Sequence, residues 1–213
     1  MADQRLSEYR KKRSGSGSGE PSGTGEPSGN GRTSGSGRPT GSSRTKGHDQ
    51  SVFVIQRHDA SSLHFDFRLE IDGVLVSWAV PKGPSVDPSV KRLAHRTEDH
   101  PLDYADFEGR IDQGYGAGTV IVWDTGSYEN LTTHKNSPVP AGQALADGHL
   151  KVELHGEKLG GAFALTRTRS GQDASDWLLV KVKDSGADRR RNPTSTQNES
   201  VLSGRTNDDL EPD

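Results

Sequence analysis

The clearest pattern in the chain is a strict alternation of apolar and polar residues between positions 63 and 71. The apolar positions are Leu63, Phe65, Phe67, Leu69 and Ile71, and the polar positions between them are His64, Asp66, Arg68 and Glu70. Alternation with a period of two predicts a β-strand that buries one face and keeps polar groups on the other. Because same-face neighbours lie roughly 6.5–7 Å apart, an imidazole, a carboxylate and a guanidinium should project in a row from one strand.

A tight hairpin is predicted directly after this strand. Asp72-Gly73 is typical of a two-residue type I′ turn, and the residues from 74 to 80 form the return strand. The turn fixes the cross-strand pairs as Ile71 with Val74, Leu69 with Val76, Phe67 with Trp78, Arg68 with Ser77, and Asp66 with Ala79. Since Ser77 and Ala79 are small, the polar face should have room for a ligand.

Further short strands predict a mostly β fold. Alternating or apolar runs occupy residues 118–124, 150–154, 162–168 and 177–182, with turn residues between them. Asp87-Pro88 looks like a helix N-cap followed by proline at the first helical position, which predicts a short helix over Ser89 to Ala94. Regular short strands with little helix favour an antiparallel β-barrel or a sandwich, with one or two short helices.

Composition divides the chain into three parts. Residues 14–47 are rich in Gly, Ser, Pro and Thr and have essentially no apolar residue, so they cannot bury enough surface to offset their ordering entropy. We expect a long, disordered, basic tail over residues 1–50, in which residues 6–13 could form a short helix. Residues 51–186 are then the folded domain and residues 187–213 a polar C-terminal tail.

Charge and residue types exclude several kinds of site. The formal net charge is −3, with a surplus of four positive charges in the first fifty residues and of five negative charges in residues 51–186, so net charge alone does not indicate a nucleic-acid binder. The chain has no cysteine, which excludes disulfides, thiolate metal ligands and cysteine nucleophiles. Nothing resembles a signal peptide or a membrane span, so we expect a cytoplasmic protein.

Three residues in and before the alternating strand suit a metal ion. His58 precedes His64 by six residues and could fold back beside it. With Asp66 the two histidines make a three-point site for a divalent metal with open positions, and the neighbouring Arg68 is suited to a bidentate grip on phosphate. A strand whose solvent face is simply polar explains the pattern about as well, so the residues alone leave both interpretations open.

Basic and aromatic residues gather after the hairpin. Lys82 follows the return strand, Lys91 and Arg92 lie in the predicted helix, and Glu98, His100 and Tyr104 come next. Such groups beside a metal bind phosphate oxygens, although each also has an ordinary structural explanation. The glycine-rich residues 114–118 could cradle a phosphate, but no helix is expected after them, so a turn that enters a strand is the favoured interpretation.

Together these segments resemble the 3′-phosphoesterase domain of bacterial DNA ligase D. The matching motifs are His58-Asp-Ala-Ser-Ser-Leu-His64-Phe-Asp66-Phe-Arg68-Leu-Glu70, Ser77-Trp-Ala-Val-Pro-Lys82-Gly-Pro-Ser85, Glu98-Asp-His100-Pro-Leu-Asp-Tyr104, Phe107-Glu-Gly109, Tyr115-Gly-Ala-Gly-Thr-Val120, Val122-Trp-Asp124, Lys158-Leu-Gly-Gly161 and Trp177-Leu-Leu-Val-Lys181. The likeness covers essentially the whole predicted domain, and Tyr9-Arg-Lys-Lys-Arg13 and Ser203-Gly-Arg-Thr206 resemble the family's flanks. Because no ligase or polymerase domain is attached, we expect a stand-alone version.

The resemblance implies an enzyme that depends on manganese, or another divalent transition metal, and trims the 3′ ends of DNA for repair by end joining. It would remove a 3′-terminal ribonucleotide and then the 3′-phosphate, leaving a 3′-hydroxyl. The family's metal ligands correspond to His58, His64 and Asp66, and its phosphate-contacting and catalytic positions to Arg68, Lys82, Arg92, His100, Gln56, Glu98 and Tyr104. The implied fold is a small antiparallel β-barrel with the site in a groove on its outer surface.

The resemblance also implies partners. These are DNA or RNA-tipped DNA 3′ ends, together with a DNA ligase, a polymerase or a Ku-type end-binding protein, and the chain is expected to be a monomer.

Two segments depart from the family pattern. Residues 111–115 lack a proline and one residue, and Arg13 is followed by Ser14-Gly15 where the family has an aspartate. The contribution of that loop and of that aspartate is therefore missing or supplied differently.

Two other functions stay open on the sequence. A non-catalytic module that binds DNA ends would keep the same fold, and the altered loop is compatible with it. A non-haem iron oxygenase would use His64 and Asp66 with a distant third ligand, for which the candidates are His134, His149 and His155. The oxygenase interpretation leaves the remaining basic residues of the motifs unexplained.

Overall fold

The computed structural model describes residues 2–13, 20–21, 51–168 and 175–211. The strands are β1 (Ser51–Asp59), β2 (Leu63–Ile71), β3 (Val74–Val80), β4 (Lys91–Arg96), β5 (Gly109–Ile111), β6 (Gly118–Asn130), β7 (Thr133–His134), β8 (Ser137–Pro138), β9 (His149–Gly156), β10 (Gly160–Arg167) and β11 (Asp176–Lys181). The helices are α1 (Ala2–Arg5), α2 (Ser7–Arg13), α3 (Ala141–Asp147) and α4 (Pro193–Thr196), and 3₁₀ turns occupy Leu102–Asp106 and Asp208–Leu210.

Eight antiparallel strands close into a barrel. They pair in the order β1, β2, β3, β4, β11, β10, β9 and β6, and β6 then pairs with β1 to complete the circle. The three-residue β5 is added beside β6. Apolar side chains fill the interior, and Phe67, Trp78, Trp123 and Phe163 have no exposed surface. The predicted mostly β barrel is confirmed.

The hairpin between β2 and β3 forms as predicted. Asp72 and Gly73 have φ angles of 54° and 82°, the left-handed pair that a type I′ turn requires. All five predicted cross-strand pairs are present, and on the core side the rings of Phe67 and Trp78 meet edge to face with centroids 6.4 Å apart. The polar row of β2 therefore points away from the barrel interior.

The helix predicted over Ser89 to Ala94 is wrong. Asp87 does begin a turn, because its Oδ1 accepts hydrogen bonds from the backbone N and the Oγ of Ser89. The chain then extends into β4, which pairs with β3 on one side and β11 on the other. Without β4 the barrel would be open, so strand pairing outweighs the local helix-start signal.

A second apolar cluster covers part of the outer surface of the barrel. It consists of Tyr9 from α2, Val54, Leu75 and Val122 from the barrel wall, and Tyr104 and Ala105 from the 3₁₀ turn. Tyr9 is 1 % exposed, and its hydroxyl donates a hydrogen bond to the carbonyl of Pro21. The short helix predicted at residues 6–13 is present as α2, and its Tyr9 packs against the barrel. The extent of the predicted tail stays a prediction. Most of the predicted tail lies outside the described residues.

The segment after Gly186 also contacts the barrel. Asn207 is 1 % exposed; its side chain accepts a hydrogen bond from Arg57 and donates to the carbonyl oxygens of Arg57 and Thr119. The indole of Trp123 donates to the carbonyl of Gln197. Polar contacts thus fix residues that the sequence suggested were a tail, while the domain boundary itself stays a prediction. None of the helices in the described ranges has the length and apolar character needed to cross a membrane.

We expect Asn207→Ala to lower the free energy of unfolding by about 2–3 kcal/mol. The change leaves the carbonyls of Arg57 and Thr119 and the guanidinium of Arg57 without buried partners, and unsatisfied buried groups cost about 1–3 kcal/mol. Urea denaturation measures the difference. Asn198→Ala, at an exposed position of the same segment, should stay within about 0.5 kcal/mol of the parent; equal effects of the two changes would contradict this role of Asn207.

Candidate metal centre and phosphate pocket

Three potential metal ligands meet where β1 and β2 run side by side. His58 and His64 are directly opposite each other in the antiparallel pairing, and Asp66 follows two residues along β2 on the same face. One ligand atom from each residue can be chosen so that all three lie within 4.8 Å of one another. The register of the two strands therefore brings His58 back to His64, as the sequence suggested.

Backbone carbonyls set the orientation of both imidazoles. The Nε2 of His58 lies 2.9 Å from the carbonyl of Gly116, and the Nδ1 of His64 lies 2.9 Å from the carbonyl of Ser62. A carbonyl oxygen only accepts hydrogen bonds, so in the neutral rings these nitrogens carry the protons. The other nitrogen of each ring, which is then unprotonated, faces Asp66, with Nδ1 of His58 and Nε2 of His64 at 3.6 Å and 3.9 Å from its oxygens.

This donor set fits a divalent metal ion. Two nitrogen lone pairs and a carboxylate converge with no proton between them, and a cation is what such an arrangement accommodates. The carbonyls of Gly116 and Ser62 are the outer hydrogen-bond partners that orient metal-binding histidines in proteins. Burial opposes ionisation of Asp66, but the positive charge of Arg68 outweighs it and holds the pKa of Asp66 below its usual range.

The three residues open onto a cavity of about 330 Å³. Its walls come from β1, β2 and β3, from the segment before the 3₁₀ turn, from the loop between β5 and β6, and from Arg13 of α2. The charged and titratable residues of the wall are Arg13, His58, His64, Asp66, Arg68, Glu98, His100, Tyr104 and Tyr115. The cavity is therefore polar, partly enclosed and directly adjacent to the candidate metal ligands.

Arg68 is buried at the wall of this cavity and contacts four neighbouring side chains. Its Nε donates to Gln56 Oε1 at 2.8 Å, Nη1 to Ser77 Oγ at 2.8 Å, and Nη2 to Asp66 Oδ2 at 3.0 Å. Its Nη1 also lies 3.0 Å from His100 Nδ1. Arg68 is 3 % exposed, and most of its donors are engaged by the protein. The bidentate grip on phosphate expected from the sequence is not available in this conformation, in which Arg68 instead fixes Asp66 and supplies positive charge.

His100 and Tyr104 are held in their neutral forms. Burial, reinforced by the charges of Arg68 and Arg13, pushes the pKa of His100 well below its usual value. Burial likewise raises the pKa of Tyr104 well above its usual value. The positive charge at the cavity at neutral pH therefore belongs to the arginines, and the imidazole of His100 stays available as a neutral donor or acceptor.

The N-terminal helix α2 supplies one wall of the cavity. Arg13 donates from Nη1 to Glu98 at 3.1 Å and from Nε to Glu20 at 2.9 Å, and its guanidinium lies 4.0 Å from the ring centroid of Tyr9. The hydroxyl of Tyr104 also donates to Glu20, at 2.9 Å. An arginine and a glutamate from outside the predicted domain thus join the site, and the sequence analysis did not identify either as a site residue.

The structure does not bring all the predicted residues to the cavity wall. Gln56 is fully buried; its Nε2 donates to the carbonyls of Tyr104 and Phe107, and its Oε1 holds Arg68. Lys82 is exposed in the turn after β3, and Arg92 lies in β4. Neither of these two residues lines the cavity, so their assignment to phosphate binding stays a prediction.

The distant histidines considered as alternative ligands lie elsewhere. His134 is exposed in β7, His149 lies 3.0 Å from the hydroxyl of Thr166, and His155 lies 3.5 Å from Glu129. Among the described residues, the cluster that could hold a metal contains His58 as its third member and none of these. The ligand set proposed for an oxygenase is therefore not assembled.

Residues 56–167, more than half of the chain, match the sequence family described as the DNA ligase D 3′-phosphoesterase domain. The chain belongs to this family. Three relatives are compared with the chain. LigD of Pseudomonas aeruginosa, a multifunctional non-homologous end joining protein, is 54 % identical over 157 residues. These residues are 72 % of this chain and 18 % of the relative. LigD of Mycobacterium tuberculosis strain H37Rv is 47 % identical over 137 residues, 64 % of this chain and 16 % of the relative.

LigD of Mycolicibacterium smegmatis is 46 % identical over 136 residues, which is 62 % of this chain and 17 % of the relative. The chain thus spans less than a fifth of the length of each of these multifunctional relatives. The resemblance of the motifs to the DNA ligase D 3′-phosphoesterase family is therefore confirmed.

We expect Glu98→Gln to loosen the contact of α2 with the barrel in a pH-dependent way. Burial opposes ionisation of Glu98, but hydrogen bonds from Lys12 and Arg13 outweigh it and lower its pKa. A carboxyl group whose pKa is lower in the folded protein than in the unfolded chain stabilises the fold at pH values above its unfolded pKa. This contribution is lost as the pH falls through the pKa of the folded state. Wild type should exceed the variant by about 2–3 kcal/mol in unfolding free energy at neutral pH, and the difference should shrink below about pH 4.

Urea denaturation over a pH series measures this difference, and Glu8→Gln, at an exposed position of α2, is the matched control. A difference between wild type and Glu98→Gln that does not change with pH would show that the charge of Glu98 is not what holds α2 in place.

Proposed function

We propose that this domain is a metal-dependent hydrolase that processes the 3′ ends of DNA strands. It removes a 3′-terminal ribonucleotide as a phosphodiesterase and then removes the 3′-phosphate as a phosphomonoesterase, leaving a 3′-hydroxyl. The observation that carries the proposal is the convergence of one ring nitrogen of His58 and one of His64 on Asp66 at the edge of an arginine-containing cavity. Membership of the DNA ligase D 3′-phosphoesterase family supports phosphate esters as the substrate class.

His58, His64 and Asp66 would hold the metal, and we propose Mn²⁺ as the ion because the resemblance to the family implies it. Two imidazoles and a carboxylate also admit other divalent transition metals. When bound, the ion would supply Lewis acidity to the phosphate. The register of β1 and β2 fixes the direction of these ligands, and the carbonyls of Gly116 and Ser62 keep the protons on the outward nitrogens. The protein therefore needs little reorganisation to bind a cation.

The remaining cavity residues bind and orient the phosphate. Arg13 and Arg68 both line the cavity, and their positive charge would stabilise the negative charge that builds up during phosphate transfer. His100, neutral and 3.5 Å from Arg13 through its Nε2, is placed to exchange a hydrogen bond or proton with a phosphate oxygen. Tyr104 keeps its proton and bonds to Glu20, which fixes its ring beneath Arg68.

The relatives' names place those proteins in non-homologous end joining. We propose that this domain serves the same process by preparing 3′-hydroxyl ends for a DNA ligase or polymerase, with a Ku-type end-binding protein as the recruiting partner.

We expect His64→Ala to abolish both activities and to lower Mn²⁺ affinity severely. His64 supplies one of the three protein ligands, so its removal weakens binding of the ion and removes the Lewis acid from the reaction. Isothermal titration with Mn²⁺ measures the affinity, and release of phosphate from a labelled 3′-phosphate strand measures the activity. His149→Ala, at an exposed histidine outside the cluster, is the matched control. An unchanged Mn²⁺ affinity in His64→Ala would contradict the assignment of His64 as a metal ligand.

The same assay decides the function itself. Mn²⁺-dependent phosphate release by the wild-type protein, lost in EDTA, supports the proposal. Binding of the strand without any release would instead support the non-catalytic DNA-end-binding module.

We expect Arg68→Lys to slow the reaction by roughly 30-fold, which corresponds to about 2 kcal/mol of transition-state stabilisation. A lysine keeps the charge, but it cannot bond to Gln56, Ser77 and Asp66 at once. Single-turnover rates at saturating strand and Mn²⁺ measure the effect. Arg110→Lys, on an exposed arginine paired with Asp112 and Glu211, should leave the rate unchanged, and wild-type rates for Arg68→Lys would contradict the role given to Arg68.

A further inference from the structure

We propose that Tyr115 is a stacking platform for the base of the nucleotide that carries the reacting 3′-phosphate. The proposal rests on the proposed function for its substrate class and adds the contact that holds the strand end in place. It assigns a binding role to a residue of the loop in which the chain departs from the family pattern.

Tyr115 has the exposure that a stacking residue needs. It is 54 % exposed and lines the cavity. The other large apolar residues exposed in the described ranges are Leu63, Leu93 and Leu202, and none of them lines the cavity. The ring of Tyr115 is therefore accessible to a ligand that enters the cavity.

The ring is held close to the candidate metal ligands. The next residue, Gly116, offers its carbonyl to Nε2 of His58 at 2.9 Å, so the loop that carries Tyr115 is tied to one of these ligands. Gly114 and Gly116 have φ angles of 89° and 85°, a conformation that favours glycine, and they set the turn that presents the ring between them. A phosphate beside His58 would therefore have its own nucleotide within reach of the ring.

Lys12 occupies one face of the ring. Its ammonium lies 4.1 Å from the ring centroid and also pairs with Glu98 at 2.9 Å. A cation–π contact of this kind is attractive and orients the ring, while more than half of the residue's surface stays accessible. We propose that the base stacks on the face opposite Lys12.

A nucleobase is the ligand that this surface fits. Every base has a π-face, so stacking on an aromatic side chain is tolerant of sequence, as a protein that processes any broken end requires. The described part of the wall around Tyr115 offers glycine and alanine neighbours, Gly114, Gly116 and Ala117, whose small side chains leave room for a flat ring. Stacking on Tyr115 would thus position the strand end without selecting for a particular base.

The test follows binding and chemistry in one reaction. Excess protein is mixed in Mn²⁺ with a single DNA strand that ends in a 3′-phosphate and carries the fluorescent base 2-aminopurine at its last position. Fluorescence reports stacking of that base, and phosphate release reports hydrolysis. The same strand with 2-aminopurine far from its end shows whether the signal belongs to the terminal base. Titration with the 3′-hydroxyl product strand gives Kd without turnover.

We expect the terminal 2-aminopurine to be quenched by the wild type and by Tyr115→Phe, which keeps the ring and loses the hydroxyl. Tyr115→Ala should lose the quenching and bind with a Kd raised roughly 5- to 150-fold, as expected from the loss of one base–aromatic stack, with KM rising more than kcat falls. Leu202→Ala, at a similarly exposed apolar residue outside the cavity, should match the wild type throughout.

The two proposals fail separately. Hydrolysis by the wild type together with equal quenching and Kd in Tyr115→Ala overturns the stacking role and leaves the proposed function standing. Quenching that depends on Tyr115 without any hydrolysis overturns the proposed function and leaves the platform. Loss of quenching in both Tyr115→Ala and Tyr115→Phe would assign the contact to the hydroxyl and overturn the platform as well.

Discussion

The site depends on the antiparallel register of β1 and β2. Side chains alternate between faces, so a slip of one residue would carry Asp66 into the barrel interior and bring Phe65 to the surface. The two-residue turn after Ile71 sets the register of β2 against β3, and the pairing of His58 with His64 sets that of β1 against β2. Since β6 then pairs with β1 and closes the barrel, the ligand geometry is built into the closure of the sheet.

A buried positive charge is the second constraint. Arg68 is 3 % exposed, and a buried charge is tolerated only when it is paired and fully hydrogen-bonded. Asp66 supplies the opposite charge, and Gln56 and Ser77 supply neutral acceptors from the strands on either side. A side chain that the sequence suggested would meet a phosphate directly instead organises the residues that surround it.

Features that depend on residues close in sequence were predicted, whereas features that depend on contacts between distant residues were missed. The alternation of β2, the Asp72-Gly73 turn and the pairs across the hairpin depend on neighbours in sequence, and these were predicted correctly. The strand at β4 was missed because the Asp87-Pro88 turn is a local helix signal, whereas the need to join β3 to β11 is not visible in sequence. Arg13 and Glu20 were missed for the same reason. The available signal for docking was the apolar pair Leu6, between α1 and α2, and Tyr9 of α2, three residues later.

Closure of the barrel has a consequence for association between molecules. An open sheet exposes a row of unpaired backbone groups at each edge, and such edges can pair with other chains. Here β1 and β6 pair with each other, and within the described part of the main sheet the strand with a free edge is β5, which is three residues long. Arg110 of β5 is charged and engaged with Asp112 and Glu211. The described part of the domain therefore offers almost no template for strand-to-strand aggregation.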